Sequence, residues 1–373
     1  MKIPPFTLER YFAKHEFSAK YLLSSSDCES LHLPELLEMA SPEMRTSWDN
    51  LQLGYTESQG HPLLLEEAAK FHEGLSASNL LVAAPQENIF LLMEALLQPG
   101  DHVIAAFPGY QSLYEIARTI GCQVSMWEPD EEADWHFDLG KLAALIRPST
   151  KLVVVNFPHN PTGYIPPQDE FDALIKMLRK KGIFLLSDEM YRFLDVNPGA
   201  TLTSACSTYE RAFSLFGMSK TFGLAGLRIG WIATRHQPTL AQMRELKDYT
   251  TICSSAPSEI LSIIALQNKE AIIADQNARV GRNLALLEKF MTKYAHLFRW
   301  NRPRGGSICF PRMVGVGSTL AFADLLVEEA GIMIAPSHVF DYGNQHFRIG
   351  FGRENFGEVL DVFGEYLDKK FKS

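Results

Sequence analysis

Short apolar runs alternate with amphipathic stretches through the middle of the chain. Runs rich in aliphatic and aromatic residues predict five buried strands: His102–Phe107, Lys151–Asn156, Ile183–Ser187, Ala212–Phe216 and Leu227–Thr234. The amphipathic stretches Tyr110–Ile120 and Pro167–Lys181 predict helices, each closed by a glycine. Buried strands joined by helices are typical of a mostly parallel sheet with helices on both faces. In such a sheet, ligands bind at the carboxyl ends of the strands.

The pattern changes from about Pro238 onwards. Helical periodicity dominates as far as His296, and the remaining elements predicted are two short strands and a closing helix, at Ser307–Pro311, Gly331–Ala335 and Glu354–Phe371. We therefore predict an α/β fold with a three-layer α/β/α large domain, residues 45–265, and a smaller α+β domain, residues 1–44 and 266–373. The cleft between the two domains is the expected functional site.

Composition narrows the possible partners and location. The chain has 373 residues and a formal net charge of −9, without a block of consecutive Lys or Arg, so we expect neither nucleic acid nor an anionic membrane as partner. Residues 1–21 are polar, which argues against a signal peptide or membrane anchor. The five cysteines are scattered without the spacing of a metal site or a disulfide framework. We expect a cytoplasmic protein without a bound metal.

Three polar, glycine-rich segments follow predicted strands: Asn156–Gly163, Ser187–Tyr191 and Ser214–Trp231. Taken singly, each has an ordinary structural explanation, since Asn-Pro-Thr-Gly also forms turns and an Asp after a strand also caps helices. A lysine in a glycine-rich loop is more often solvated or a phosphate contact than a nucleophile. The phosphate-loop pattern G-x-x-x-x-G-K-[ST] does not fit, because Gly217 stands three residues before Lys220 instead of directly before it.

Together and in this order, the segments resemble the class I/II aminotransferases, which are fold-type-I enzymes dependent on pyridoxal 5'-phosphate (PLP). The matching blocks are Asn160–Gly163 (NPTG), Ser187–Tyr191 (SDEMY), Ser219–Trp231 (SKTFGLAGLRIGW) and Phe347–Phe351 (FRIGF). The resemblance covers nearly the whole chain. It implies an aspartate-aminotransferase-like fold, a PLP cofactor and a homodimer with shared active sites.

The resemblance implies roles for five residues around the cofactor ring. Lys220 corresponds to the lysine that forms the Schiff base and later moves the α-proton. Asp188 corresponds to the carboxylate that keeps the pyridine nitrogen protonated. Asn160 and Tyr191 correspond to the pair that contacts the phenolic oxygen, and Tyr110 to an aromatic residue over the ring, although Tyr110 could equally pack in the core.

The resemblance also implies a phosphate site at the start of the predicted helix Ile89–Leu97, where free N–H groups favour an anion. The residues just before this helix depart from the family pattern at Pro85, which has no N–H to donate. We therefore expect Gln86 to make more of the contact with the phosphate. A second departure is Gly217, where many relatives have Ser or Thr.

Four further residues complete the implied site. Ser219 and Arg228 correspond to phosphate contacts, and Tyr55 to a tyrosine that reaches the phosphate of the neighbouring subunit. Arg348, together with Asn160, corresponds to the group that binds the substrate's α-carboxylate, for which a guanidinium offers two parallel donors.

The leading functional hypothesis is ping-pong transamination, in which an L-amino acid and a 2-oxo acid react in turn. The main alternative keeps the cofactor but leads to elimination, decarboxylation or cyclisation, because the N-terminal segment and layout also resemble capreomycidine-synthase-type members, which cyclise a hydroxylated arginine. A third hypothesis is the PLP-sensing domain of a transcription regulator. We expect it to be wrong, since too few residues precede Tyr21 for a DNA-binding segment and the chain is acidic.

The substrate side chain is not predicted by these motifs. By position, Ser24–Ser26 and Arg304–Ser307 are expected to line the pocket, and no second arginine can be assigned to an acidic substrate.

Overall fold

The computed structural model describes residues 3–196 and 199–371, so both extreme ends of the predicted small domain lie outside it. The α-helices are α1 (Thr7–His15), α2 (Leu33–Glu38), α3 (Pro42–Asp49), α4 (Pro62–Ala69), α5 (Pro85–Leu96), α6 (Ser112–Ile120), α7 (Leu139–Leu145), α8 (Gln168–Lys181), α9 (Ala205–Thr208), α10 (Gln237–Lys247), α11 (Ala256–Gln267), α12 (Lys269–Lys293), α13 (Thr319–Ala330) and α14 (Phe356–Lys370). The strands are β1 (Tyr21–Leu22), β2 (Leu80–Ala83), β3 (His102–Ala106), β4 (Gln123–Trp127), β5 (Thr150–Asn156), β6 (Phe184–Asp188), β7 (Ala212–Gly217), β8 (Gly230–Thr234), β9 (Phe298–Arg299), β10 (Ile308–Cys309), β11 (Arg312–Met313), β12 (Ile332–Met333), β13 (Ala335–Pro336) and β14 (Phe347–Gly350).

A seven-stranded sheet forms the centre of the molecule, in the order β2-β8-β7-β6-β5-β3-β4. Its neighbouring strands pair in parallel except for β8, which is antiparallel to both β7 and β2. Alternate residues of β5 enter two different hydrophobic cores: Leu152 joins the core that includes α5 and α6, and Val153 joins the core that includes α8. The predicted α/β fold, a mostly parallel sheet with helices on both faces, is confirmed.

The last strand of this sheet begins later than predicted. Leu227 lies in a short 3₁₀ turn, Ala225–Leu227, and β8 begins only at Gly230. Between them, Arg228 has a left-handed backbone with φ +55°, which cannot continue an extended strand. The turn brings Arg228 to the end of the sheet where β7 also ends.

The remaining strands form small sheets beside α12, α13 and α14. The segment predicted as one strand at Gly331–Ala335 is two strands, because β12 pairs with β1 and β13 pairs with β14. Of the strand predicted at Ser307–Pro311, only the two residues of β10 form a strand. They pair with the edge of β14 opposite β13. The β1–β12 pairing attaches the N-terminal segment to the C-terminal part of the chain. The exact domain boundaries stay predictions.

Two other observations bear on the sequence predictions. In the described ranges 3–196 and 199–371, no helix has the length and apolar character needed to cross a bilayer. All five cysteines are free thiols, four of them buried.

Candidate active site

A cavity of about 380 Å³ lies between the carboxyl ends of the central strands, α1 and β14. Ten of the eleven residues named from the sequence line it, namely Lys220, Asp188, Tyr191, Asn160, Tyr110, Pro85, Gln86, Ser219, Arg228 and Arg348. Tyr55 is not on this wall, and its side chain is 88% exposed. Segments far apart in the sequence therefore converge on one cavity, as expected for loops at the carboxyl edge of a parallel sheet.

The register of β5 against β6 fixes two polar side chains at the cavity floor. Asn156 pairs with Asp188 as the last residues of these neighbouring strands. The amide nitrogen of Asn156 donates to the backbone carbonyl of Asp188 over 2.9 Å, and its Oδ1 accepts from the backbone N–H of Asn160 over 2.7 Å. Asn156 thus holds the ends of both segments together. The sequence analysis gave it no role, although its place at the end of a predicted strand was a signal.

Asp188 is a carboxyl group taken almost entirely out of water. Burial raises its pKa to about 7, although the N–H of Met190, which donates to Oδ1 over 3.1 Å, and the charge of Lys220 both act to lower the pKa. An ionised carboxylate here needs a cationic partner. The position therefore suits a ligand with a protonated nitrogen.

Lys220 extends from the loop after β7 into the same cavity. Its Nζ donates a hydrogen bond of 2.8 Å to the Ser26 hydroxyl. Burial lowers the pKa of Lys220, and the positive charge of Arg348 lowers it further, while Asp27 is the strongest of the nearby carboxylates that oppose this shift. A larger neutral fraction makes Nζ a better nucleophile and base.

Two buried polar groups on the cavity wall lack a partner among the described residues. They are the hydroxyl of Tyr191 and the Nε of Arg348, on side chains that are 2% and 1% exposed. The rest of the guanidinium is fixed, because Nη1 donates to Asn160 Oδ1 over 3.1 Å and Nη2 to the backbone carbonyl of Ser24 over 2.9 Å. Since buried polar groups are normally hydrogen-bonded, the unmet groups indicate a ligand site.

One end of the cavity is built for an anion. The N-terminus of α5 faces it, and the N-cap residue Ala84 offers no side-chain acceptor to the first-turn N–H groups. Arg228 and Ser219 line the same cavity and supply a positive charge and a hydroxyl. Gln86 lies in the first turn of α5, and its side-chain oxygen accepts from the Ser112 hydroxyl over 3.3 Å.

The two residues that depart from the family pattern, Pro85 and Gly217, lie close to each other. A Cβ added to Gly217 would lie 3.0 Å from Cγ of Pro85, and also 3.0 Å from Cα of Gly230 and from the carbonyl of Ile229. The proline ring therefore occupies the space beside residue 217. A side chain at 217 would press against the proline ring at 85 as well as against the backbone of Ile229 and Gly230, so the two positions are in direct packing contact.

We predict that Gly217→Ser destabilises the cofactor-free protein by about 1–3 kcal/mol, because overpacking forces side chains and backbone apart. The double variant Gly217→Ser/Pro85→Ala should recover part of this lost stability, because it removes the proline ring. Urea unfolding measures both effects, and Gly317→Ser is the control, because a Cβ there meets nothing within 4 Å. Equal stability of Gly217→Ser and the parent protein would contradict this packing.

The N-terminal helix covers the cavity, which the sequence analysis missed. Leu8, Phe12 and Glu16 recur at four-residue spacing and line the cavity together with Glu9. The hydroxyl of Tyr110 donates to Glu9 over 2.9 Å, and its ring lies 4.8 Å from that of Phe6, so Tyr110 both packs and faces the cavity. The four-residue spacing was the available signal for this helix.

The two segments expected to line the pocket by position differ in outcome. Ser25 and Ser26 lie on the cavity wall, as expected for Ser24–Ser26. Arg304–Ser307 packs beside this wall, where the Ser307 hydroxyl donates to the carbonyl of Ser26 over 3.2 Å, and its part in lining the pocket stays a prediction.

Known proteins resemble this chain over most of its length. The sequence model of the family described as aminotransferase class I and II matches residues 20–362. Capreomycidine synthase from Streptomyces vinaceus is 28% identical over 351 residues, which are 94% of this chain and 90% of that protein. A PLP-dependent aminotransferase from Streptococcus suis 89-1591 superimposes with a TM-score of 0.93 at 30% identity over 100% of both chains. The PLP-dependent cyclase OrfR superimposes with a TM-score of 0.89 at 27% identity, over 99% of this chain and 98% of that chain.

Proposed function

Since the chain belongs to the class I and II aminotransferase family, we propose that it transfers the amino group of an L-amino acid to a 2-oxo acid by a ping-pong reaction. The resemblance recognised from four sequence blocks is thereby confirmed, and pyridoxal 5'-phosphate is the cofactor. The bound cofactor supplies an electron sink for the electrons released when the Cα–H bond of the substrate breaks.

The observation that carries the proposal is the convergence of Lys220, Asp188 and Arg348 on one cavity. The donor set fits PLP group by group. Asp188 offers a buried carboxyl that needs a cationic nitrogen, Tyr191 offers a hydroxyl without a partner among the described residues, and the α5 N-terminus with Arg228 and Ser219 suits a phosphate. We assign Asp188 to the pyridine nitrogen, Asn160 and Tyr191 to the phenolic oxygen, Tyr110 to the ring face, and Pro85, Gln86, Ser219 and Arg228 to the phosphate end.

Lys220 performs the proton transfer in this proposal. Its Nζ would hold the cofactor covalently, and as a free amine it would take the proton from the substrate's Cα. The lowered pKa of Lys220, caused first by burial, favours the neutral amine that this step requires. Ser26 accepts a hydrogen bond from Nζ and keeps the amine on the cavity side.

Arg348 orients the substrate by its α-carboxylate. The bonds from Nη1 to Asn160 and from Nη2 to the carbonyl of Ser24 fix the plane of the guanidinium before a substrate binds. Nε remains without a partner among the described residues and is free to donate. A prearranged guanidinium loses little side-chain entropy on binding, which helps it to hold Cα in reach of Lys220.

We further propose a homodimer in which Tyr55 reaches the phosphate end of the partner's site. Its side chain is 88% exposed beside Leu53, which is 83% exposed, and Tyr249, which is 91% exposed, also projects into solvent. A hydrogen bond from Thr56 to the carbonyl of Ser254 ties the two segments together. Exposed apolar side chains on joined segments are typical of a subunit interface. The free cysteines support a reducing, cytoplasmic location.

The test is to supply amino acids with and without a 2-oxo acid. A transaminase should convert about one equivalent of amino acid per site without an acceptor and turn over repeatedly when pyruvate or 2-oxoglutarate is added. The absorbance of the bound cofactor and the 2-oxo acid product report the two half-reactions. Repeated turnover without any acceptor would overturn transamination.

That contrary result would support the second candidate, a PLP-dependent cyclase or lyase. It is favoured by two similarities, to capreomycidine synthase and to the cyclase OrfR, each over nine-tenths or more of this chain. In that reaction the same residues would bind the cofactor and remove the α-proton, and the product would form without a 2-oxo acid.

A further inference from the structure

The turn that follows β6 carries Tyr191 and contains a strained residue. Phe193, two positions after Tyr191, has φ +73°, a left-handed backbone conformation that a bulky side chain rarely adopts. Such a conformation costs free energy and persists only where surrounding contacts hold it. The position of Tyr191 therefore depends on the contacts that hold residues 189–193.

Thr221 supplies one of these contacts from the loop that follows β7. Its hydroxyl donates to the backbone carbonyl of Arg192 over 2.7 Å and lies 3.4 Å from that of Met190. Because these residues stand on either side of Tyr191 in the chain, one hydroxyl holds the backbone before and after the tyrosine. Thr221 is completely buried, and the Arg192 carbonyl accepts no other hydrogen bond from the described residues.

Other elements hold the two ends of the same turn. The carboxylate of Glu189 accepts from the Ser214 hydroxyl over 2.7 Å, and Asn277 on α12 donates to the carbonyl of Phe193 over 2.8 Å. The direct hydrogen bond between residues 189–193 and the lysine-bearing loop, residues 218–224, comes from Thr221. Its hydroxyl thus links the segment of Tyr191 to the segment of Lys220.

Tyr191 and Lys220 contact neighbouring groups of the cofactor in the proposed function. Nζ of Lys220 lies 6.0 Å from the centroid of the Tyr191 ring. The Tyr191 hydroxyl has no partner among the described residues, and burial raises its pKa, so it keeps its proton and can donate. Since a hydrogen bond weakens steeply as its geometry departs from the optimum, a small shift of the turn relative to Lys220 would weaken the bond that Tyr191 donates.

We propose that Thr221 is a positioning residue, whose hydroxyl fixes Tyr191 relative to Nζ of Lys220. This inference rests on the proposed function, in which Tyr191 donates to the phenolic oxygen of the cofactor. It applies equally to transamination and to the cyclase or lyase alternative, because both use the same bound cofactor.

The test measures the pH midpoint of the absorbance change of the cofactor bound to Lys220. A hydroxyl that donates to the phenolic oxygen stabilises the negative charge there, so the proton shared between this oxygen and Nζ is released at a lower pH. Tyr191→Phe should therefore raise the midpoint. Thr221→Val keeps the shape without the hydroxyl and should raise the midpoint by at least about half a pH unit, whereas Thr221→Ser keeps the donor and should stay near the parent protein.

Two controls separate positioning from a general loss of stability. In the Tyr191→Phe protein, Thr221→Val should leave the midpoint unaltered, because the hydroxyl that Thr221 positions is gone. Thr234→Val removes an equally buried hydroxyl, which donates to the carbonyl of Ala212 over 2.8 Å. Thr234 lies at the end of β8 opposite Gly230, away from the cavity, so its replacement should lower stability without moving the midpoint.

The outcomes distinguish this inference from the proposed function. If Thr221→Val and the smaller variant Thr221→Ala keep the midpoint of the parent protein, or if neither variant folds, the hydroxyl serves the fold alone and the inference is wrong while the proposed function stands. An undiminished effect of Thr221→Val in the Tyr191→Phe protein would also contradict it. If Tyr191→Phe itself leaves the midpoint unaltered, the role proposed for Tyr191 fails and the inference fails with it. Absence of any cofactor absorbance in the parent protein would overturn the proposed function itself.

Discussion

Replacement of Lys220 by alanine is expected to abolish the visible absorbance of the bound cofactor and to lower turnover by at least about 10⁴-fold. Lys220 is the one lysine on the described wall of the cavity. The other cations there, Arg228 and Arg348, are guanidinium groups that stay protonated and cannot act as an amine base or nucleophile. Both the covalent attachment and the proton transfer therefore depend on Nζ of this residue.

The comparison variant is Lys369→Ala, an exposed lysine at the end of α14, which should keep the spectrum and activity of the parent protein. The cavity of about 380 Å³ also has room for a small amine once the lysine side chain is removed. Added methylamine should therefore restore part of the activity of Lys220→Ala in proportion to its concentration. Full activity of Lys220→Ala without added amine would rule out the role assigned to this lysine.

The sequence predicted five of the seven strands of the central sheet and most of the proposed site, because these depend on local patterns. The strands around Leu152 and Leu186 are short apolar runs, and the polar residues of interest follow them directly. When parallel strands pair in register, residues at their ends must meet, as Asn156 and Asp188 do. Order along the chain was therefore enough to place these groups together.

Other features depend on contacts that no local pattern contains. The mutual fit of Pro85, Gly217 and Gly230 exists only because α5 packs across the ends of β7 and β8. The late start of β8 follows from one left-handed residue, Arg228, inside an otherwise strand-like run. Helix α1 was missed because nine residues show only about two and a half turns of periodicity, and its cavity-facing side is interrupted by Glu9.

Asp188→Asn is expected to lower kcat by about 10²-fold or more, with the cofactor still attached to Lys220. Asparagine has the same shape and can still accept the hydrogen bond from the Met190 N–H, but it carries no charge. A protonated pyridine nitrogen would lose its partner, and the cofactor would accept electrons less readily. Kinetics at saturating substrate measure the loss, which should not be recovered by adding more cofactor.

The same substitution should make the cofactor-free protein more stable at neutral pH. Burial raises the pKa of Asp188 from 3.8 to about 7, so between these values the folded protein keeps a proton that the unfolded chain releases. The contribution of this group to stability is therefore greatest at low pH and falls as the pH rises towards 7. Asparagine has no proton to lose, so its advantage should grow through this window, up to about 4 kcal/mol for a shift of roughly three pKa units.

Urea unfolding of the cofactor-free proteins tests this at about pH 4.5 and 6, inside the window set by the raised pKa, and at about pH 8, above it. The control is Asp361→Asn on α14, an exposed carboxylate whose replacement should give no pH-dependent difference. A variant of Asp188 that is less stable than the parent protein at pH 8 would contradict the cost assigned to its buried charge. If Asp188→Asn lowers activity and raises stability, the carboxylate serves its cationic partner at the expense of stability. An uncharged residue of the same shape would then give the more stable fold and the less active protein.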